Sequence, residues 1–406
     1  MGQVFPHRQD AFPASPLKPL HLLIAITATN HVNFVGARFA VLLYAVHLEA
    51  SPATVGVLTA LFSVLGITTS VATGRWIDRI GPRYPMIICS LLMAAATAVA
   101  WFWEGIYALF ILSIVVGTAY NVYFIGNQLQ IGHYGRPEDK VGNFSLAMQG
   151  YAMASFIAPL VAGFAIDEIG YRDTFLLLAL LPLVPTLVIS LNKLELPSHG
   201  RAEQKQARPG GGVGELLRKP ALREIFMMAL LTNVGWNLYT FLMPLYGSQI
   251  HLSASQIGII MSTYSLASVV SRMLAPVCSR RYTHWQILIG SLLMAAIGFV
   301  ATSFFAQMGV LISLAFWMGL ALGISAPISL ALIHEASPAD RMAEVQGLRL
   351  AIINGLQTAV PLTAGMIGAA LGVGPVFWAV AALLAAGCYA GRGKWHAHRN
   401  AHATRH

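Results

Sequence analysis

Inside an apolar run from about residue 20 to 46 stand Asn30, His31, Asn33 and Arg38. An imidazole and a guanidinium seven residues apart leave a helix near one face, so His31 and Arg38 can meet the same solute. Histidine titrates at about 6.5, near working pH. His31 is therefore the candidate proton carrier, the alternative being a hydrogen bond between helices. Arg38 has no acidic residue near it in sequence, and its chemistry is solute binding or gating; a buried cation favours an anionic or zwitterionic solute. Other apolar runs carry Tyr120, Asn121, Tyr123, Asn127 and Gln128, then Asn233, Trp236, Asn237, Tyr239 and Thr240. Arg272, seven before Ser279, either snorkels to a polar interface or joins a gate; the first is expected.

These residues exclude several classes of function. Paired carboxylates, or His and Asp at metal spacing, are what a membrane enzyme would need, and neither is found. Without a glycine-rich phosphate loop, ATP-driven pumping by this chain is not expected. No cofactor and no metal are expected. Cys89, Cys278 and Cys388 show no disulfide or metal spacing and read as packing residues. The histidines of the tail, His396, His398, His402 and His406, read as solvated. The net charge of +9 is spread over many loops, which argues against nucleic-acid binding.

The elements that position these side chains are membrane helices. With 56% hydrophobic and 10% charged residues and a mean hydropathy of +0.66, the chain needs lipid as its solvent. Twelve apolar runs, each long enough to cross, lie at about 20–46, 54–73, 85–103, 106–131, 141–165, 173–192, 223–248, 255–276, 285–306, 308–334, 344–370 and 374–391. They divide six and six. The expected units are a first bundle over 1–192, a cytoplasmic linker over 193–222, a second bundle over 223–391 and a basic, histidine-rich tail over 392–406. With both termini in the cytoplasm, all but Arg38, Arg172 and Arg272 of the 25 Lys and Arg fall on the inner side. The first span is too long for a signal h-region and is expected to stay. The chain is thus expected to be a multi-pass protein of a bacterial inner membrane, acting as a monomer.

The halves repeat. An offset of 202 residues places Ser51, Val55, Gly56 and Ser63 on Ser253, Ile257, Gly258 and Ser265. The same offset places Gly117 on Gly319, and Pro159 and Gly163 on Pro361 and Gly365. Two parallel bundles, rocking about a midplane site, are the arrangement of one large transporter class.

Between the second and third runs stands Gly74-Arg75-Trp76-Ile77-Asp78-Arg79-Ile80-Gly81-Pro82-Arg83. It resembles the signature loop of the major facilitator superfamily, matching it at Gly74, Asp78, Arg79, Gly81 and Arg83, and the likeness runs from the first span to the last. A carboxylate there can bond free N–H groups at a helix N-terminus. The resemblance implies that this helix is the eleventh span, and that the contact latches the outward-facing form. The second copy is degenerate, with Pro276, Arg280 and Arg281 in place of Gly74, Asp78 and Arg79. Gly170-Tyr171-Arg172 and Pro338-Ala339-Asp340-Arg341 are further family-like pieces. In the fifth span Gly150, Pro159 and Gly163 look like a reduced form of the packing motif of drug:proton antiporters.

The resemblance also implies that the first and seventh spans face a central cavity. The expected cavity residues are Asn30, His31, Asn33, Arg38, Tyr120, Asn121, Tyr123, Gln128, Asn233, Trp236, Asn237 and Tyr239, and the first half is expected to be its more polar side. Many proton-driven members carry protons on a buried carboxylate; no Asp or Glu stands mid-span here, which leaves His31 as the coupling candidate. The implied function is alternating-access transport of a small organic solute, as efflux with proton antiport; import through the same fold, or sensing without flux, are the alternatives.

Overall fold

The computed structural model describes residues 17–134, 139–191, 220–337 and 342–403. Its regular structure among them is helical, as lipid demands of a chain that must satisfy its own backbone. The helices are α1 (Leu17–His47), α2 (Pro52–Ile80), α3 (Arg83–Phe102), α4 (Ile106–His133), α5 (Lys140–Leu180), α6 (Leu183–Ser190), α7 (Pro220–Gln249), α8 (Ala254–Arg281), α9 (His284–Thr302), α10 (Met308–Gly323), α11 (Ser325–Ala336), α12 (Met342–Leu371) and α13 (Val373–Ala403).

Nine stretches among the described residues are long and apolar enough to cross a membrane. One, at 49 residues, is two spans. At about 1.5 Å per residue it would far exceed the hydrocarbon thickness, and Gly170, at φ 81° and ψ 170°, breaks it. The sixth span is the end of α5 followed by α6, interrupted at Pro182, which has no N–H for the helical ladder. The tenth is α10 and α11, interrupted at Ile324, where Pro327 cannot donate to the Gly323 carbonyl. Helices α2 and α12, of 29 and 30 residues, have the length of the remaining two expected spans. The last apolar stretch runs over Val373–Arg392, close to the expected 374–391, while its helix α13 continues to Ala403, into the segment read as a tail. The expected linker falls almost wholly on 192–219, outside the described residues.

The 202-residue repeat is visible in the backbone. Ser51 and Ser253 are both N-caps, bonding Thr54 and Gln256 respectively. Glu49 (φ 57°) pairs with His251 (φ 60°), and Gly170 with Gly372 (φ 85°). Gly117 lies against the backbone of Phe62, and Gly319 against that of Tyr264, again 202 apart.

The halves meet through α2 on α12 and α5 on α8. Both crossings lie toward the end of the bundle that carries Gly170 and use glycine to bring backbones together. A Cβ on Gly56 would stand 2.5 Å from the Pro361 carbonyl, and one on Gly365 2.5 Å from that of Pro52. In the other pair Gly163 meets the Ala254 carbonyl at 2.5 Å, and Gly258 meets that of Pro159. The same end holds a hydrogen bond from Thr358 to Ser63 at 3.3 Å and one from Ser262 to the Phe156 carbonyl at 2.6 Å. That end is closed.

Candidate functional site

Between the halves lies a cavity of about 380 Å³, lined from both bundles. Helix α1 contributes Phe34 and Arg38; α7 contributes Asn233, Trp236 and Asn237; α8 contributes Tyr264 and Arg272; α12 contributes Gln357. Two guanidiniums thus share one chamber, and no Asp or Glu lines it among the described residues. Arg272 lies 5.7 Å from the centre of the Trp236 ring, a cation–π distance. No salt bridge is formed by Arg38 or Arg272 among the described residues.

Arg272 corrects the expectation that it snorkels. Helical side chains tilt toward their helix N-terminus, and for α8 that is the Gly170 end. The tilt therefore carries Arg272 away from the nearer polar boundary and toward Trp236.

The cavity also offers acceptors. Proline has no N–H, so Pro159, Pro244 and Pro361 leave the carbonyls of Ser155, Thr240 and Gln357 without their usual helical donor. All three of those residues line the chamber. Ser155 and Gln357 are related by the repeat.

Of the twelve expected cavity residues, Arg38, Asn233, Trp236 and Asn237 are in the lining and the others are not. Asn30 is fully buried and donates to Ser90 of α3 at 2.9 Å. Asn33, also fully buried, donates to Thr97 and to the Leu178 carbonyl. Tyr123 is buried beside Thr27, whose hydroxyl donates to Asn127. Asn121 packs on Gly66 of α2. Gln128 lies further along α4, and Tyr120 stacks behind Phe34 at 4.1 Å between ring centres. The expectation of a more polar first half is thereby reversed. The polar groups of α4 bond to α1 and α5 and hold the first bundle together, while α7 and α8 supply most of the chamber's polar side chains.

Tyr239 is likewise no lining residue. It is fully buried against Tyr264 and Phe299, and its hydroxyl has no partner among the described atoms. A hydroxyl buried without a partner costs about 1–3 kcal/mol. Tyr239→Phe is therefore expected to leave solute binding unchanged and to hold or raise the thermal midpoint, read by scanning fluorimetry; loss of binding would return Tyr239 to the site.

His31 stands just behind the lining. Its Nε2 is 2.9 Å from the Ser155 hydroxyl, and its Nδ1 meets the Tyr120 hydroxyl. Ser155 already donates to the Tyr151 carbonyl at 2.9 Å, so it accepts from Nε2–H. In the neutral ring Nδ1 then accepts from Tyr120.

Within the signature loop, Gly81 ends α2 at φ 79°, its N–H bonding the Ile77 carbonyl at 2.8 Å, a conformation that suits glycine. Arg83 donates to the Ser190 carbonyl at 3.2 Å and so joins α3 to α6 inside the first bundle. Arg79 is exposed. Gly74 and Asp78 lie on α2, but the Asp78 side chain and the segment before α12 fall outside the described residues. Gly150 approaches Ile24 of α1, while Pro159 and Gly163 form the α5 side of the crossing with α8.

Sequence reasoning passed over Tyr264, Ser265 and Gln357. The available signal was the repeat: Gln357 stands four before Pro361 as Ser155 stands four before Pro159.

The chain matches the family model described as Major Facilitator Superfamily over residues 23–348 and 225–392. It is similar to a protein of Bacillus subtilis (strain 168) described as the uncharacterized MFS-type transporter YuxJ, 26% identical over 344 residues that cover 80% of this chain and 85% of the relative. Among solved structures, it resembles a bacterial homologue of the human lysosomal transporter Spinster in an inward-facing, unoccupied conformation, with TM-score 0.78 at 14% identity over 94% of this chain and 98% of that one. It also resembles the nucleoside transporter NupG, with TM-score 0.74 at 15% identity over 93% and 99% of the two chains.

Proposed function

Because the chain belongs to the major facilitator superfamily and is a multi-pass membrane transporter, we propose that it exports a small organic anion by rocking one bundle against the other. The observation that carries this reading is the pair Arg38 and Arg272 in one chamber without a carboxylate. The bundles are 1–192 and 223–391, joined by 193–222. Both termini lie in the cytoplasm of a bacterial inner membrane, which puts nearly all Lys and Arg inside and makes the Gly170 end the outer one. With that end closed, the chain is inward-facing. The Asp78 latch belongs to the opposite state.

Charge also bears on direction. An inside-negative membrane potential pushes an anion outward by about 2.3 kcal/mol per charge for each 100 mV, so export of an anion is driven without further coupling. Where protons exchange, His31 is the carrier, since it is a titratable group in contact with the chamber residue Ser155. His31→Gln is expected to abolish drive by a pH gradient and to preserve solute exchange in proteoliposomes; a variant that still concentrates solute under a pH gradient rules His31 out.

The reading is tested by thermal-shift screening of purified protein against carboxylates, sulfonates, amines and neutral sugars. Stabilisation by acids is expected. A response confined to amines or sugars would end the anion reading.

A further inference from the structure

The closed end of the bundle is two-fold in its packing and one-sided in its charge. Gly163 on the Ala254 carbonyl has its repeat partner in Gly365 on the Pro52 carbonyl, both at 2.5 Å for an added Cβ. Asp167, one helical turn beyond Gly163, accepts the backbone N–H of Ala254 at 3.1 Å and that of Ser255 at 2.9 Å. Those are the first two residues of α8, in the other half of the molecule. The third N–H of that helix, from Gln256, goes to Ser253 at 3.3 Å. Together the two side chains occupy the donors that a helix start leaves free. A carboxylate there also faces the positive end of the helix dipole.

The repeat-related contact cannot do this. Asp167 maps to Ala369, which has no carboxylate, and Ala254 maps to Pro52, which has no N–H. The charged bond therefore exists at the α5 and α8 crossing and is absent by sequence from the α2 and α12 crossing.

We propose that Asp167 is a gating residue: its carboxylate, bound across the halves to the start of α8, latches the Gly170 end shut and must let go before that end opens. The bond joins two bodies that separate when that end opens, so all of its stabilisation is lost there and none is retained. A charged acceptor on two N–H groups is a stronger tether than a neutral one. The packing glycines supply fit without charge. Asp167 supplies the bias toward the closed outer end. It serves the alternating-access reading proposed above, but it makes no use of the arginines or the solute.

The test is a distance measurement without solute. Full-length protein in nanodiscs, with Cys89, Cys278 and Cys388 changed to serine, carries spin labels at Glu104→Cys and Gln307→Cys, on exposed loops of the two halves at the Gly170 end. Double electron–electron resonance reads the share of the short, closed distance against the long, open one. Asp167→Asn is expected to raise the open-to-closed ratio by roughly tenfold, and Asp167→Glu to raise it less. Gln256→Ala removes the side chain that accepts the Ser253 N–H at 3.0 Å, a cap of the same helix start that stays within the second half, and is expected to leave the ratio unchanged. An unchanged ratio in Asp167→Asn overturns the latch. So does an equal shift in Gln256→Ala, which would trace the effect to the helix end itself. Failure of the anion reading would leave both results as they stand.

Discussion

Replacing Arg38 and Arg272 together with glutamine is expected to abolish binding of the transported solute while leaving the fold intact. Hydrogen bonds to charged groups contribute about 1.5–3 kcal/mol each, so either single change should weaken binding by roughly 10- to 150-fold. Neither arginine forms an ion pair among the described residues, so its removal leaves no buried acid stranded. Folding should therefore not suffer, and truncation of an internal salt bridge would behave oppositely. Lysine keeps the charge without the planar fork. Arg38→Lys should thus recover part of the affinity, and Arg272→Lys less, because it also loses the face of Trp236, 5.7 Å away. Equilibrium binding by isothermal calorimetry on each variant checks this. Undiminished binding in the double variant would remove the arginines from the site.

The second large effect is mechanical. Gly258→Val places methyls where the Pro159 carbonyl now sits, and Gly56→Val does the same at Pro361. These neighbours are backbone in packed helices and have little room to yield. Overpacking costs about 1–3 kcal/mol, and here the cost falls only on the state in which the Gly170 end is closed. At the upper figure that state loses roughly 150-fold in population. Transport should fall by two orders of magnitude, while solute still binds from the side to which Gly170 belongs. Flux and binding measured on the same proteoliposomes separate the two. Equal loss of both would mean that the substitutions unfold the protein instead of holding one end open.

Much of this architecture is legible in the sequence because a membrane imposes few solutions. Length and apolarity locate most spans, and the offset that places Gly56 on Gly258 and Gly163 on Gly365 shows the repeat, though which helices touch across the halves comes from the structure. The site was less legible. Hydropathy shows that Asn30, Asn33 and Tyr123 are polar residues in apolar helices, but it does not show toward which neighbour each one turns. All three turn into the first bundle. The place of Arg272 does not follow from its distance to the helix end, because the tilt of helical side chains carries it toward Trp236. The Asp167 bond was hidden because it joins residues 87 and 88 positions apart across the halves, and in sequence Asp167 looks like one more solvated loop acid.

The most direct test of the central claim is the current carried by the purified protein. Proteoliposomes adsorbed on a solid-supported membrane are exposed in turn to small carboxylates, sulfonates, amines and sugars, with wild-type protein and with the Arg38→Gln/Arg272→Gln variant. Negative charge moving with at least one acid, absent in the variant, is the predicted result. Currents evoked only by amines or sugars, or acid currents that persist without both arginines, would contradict it.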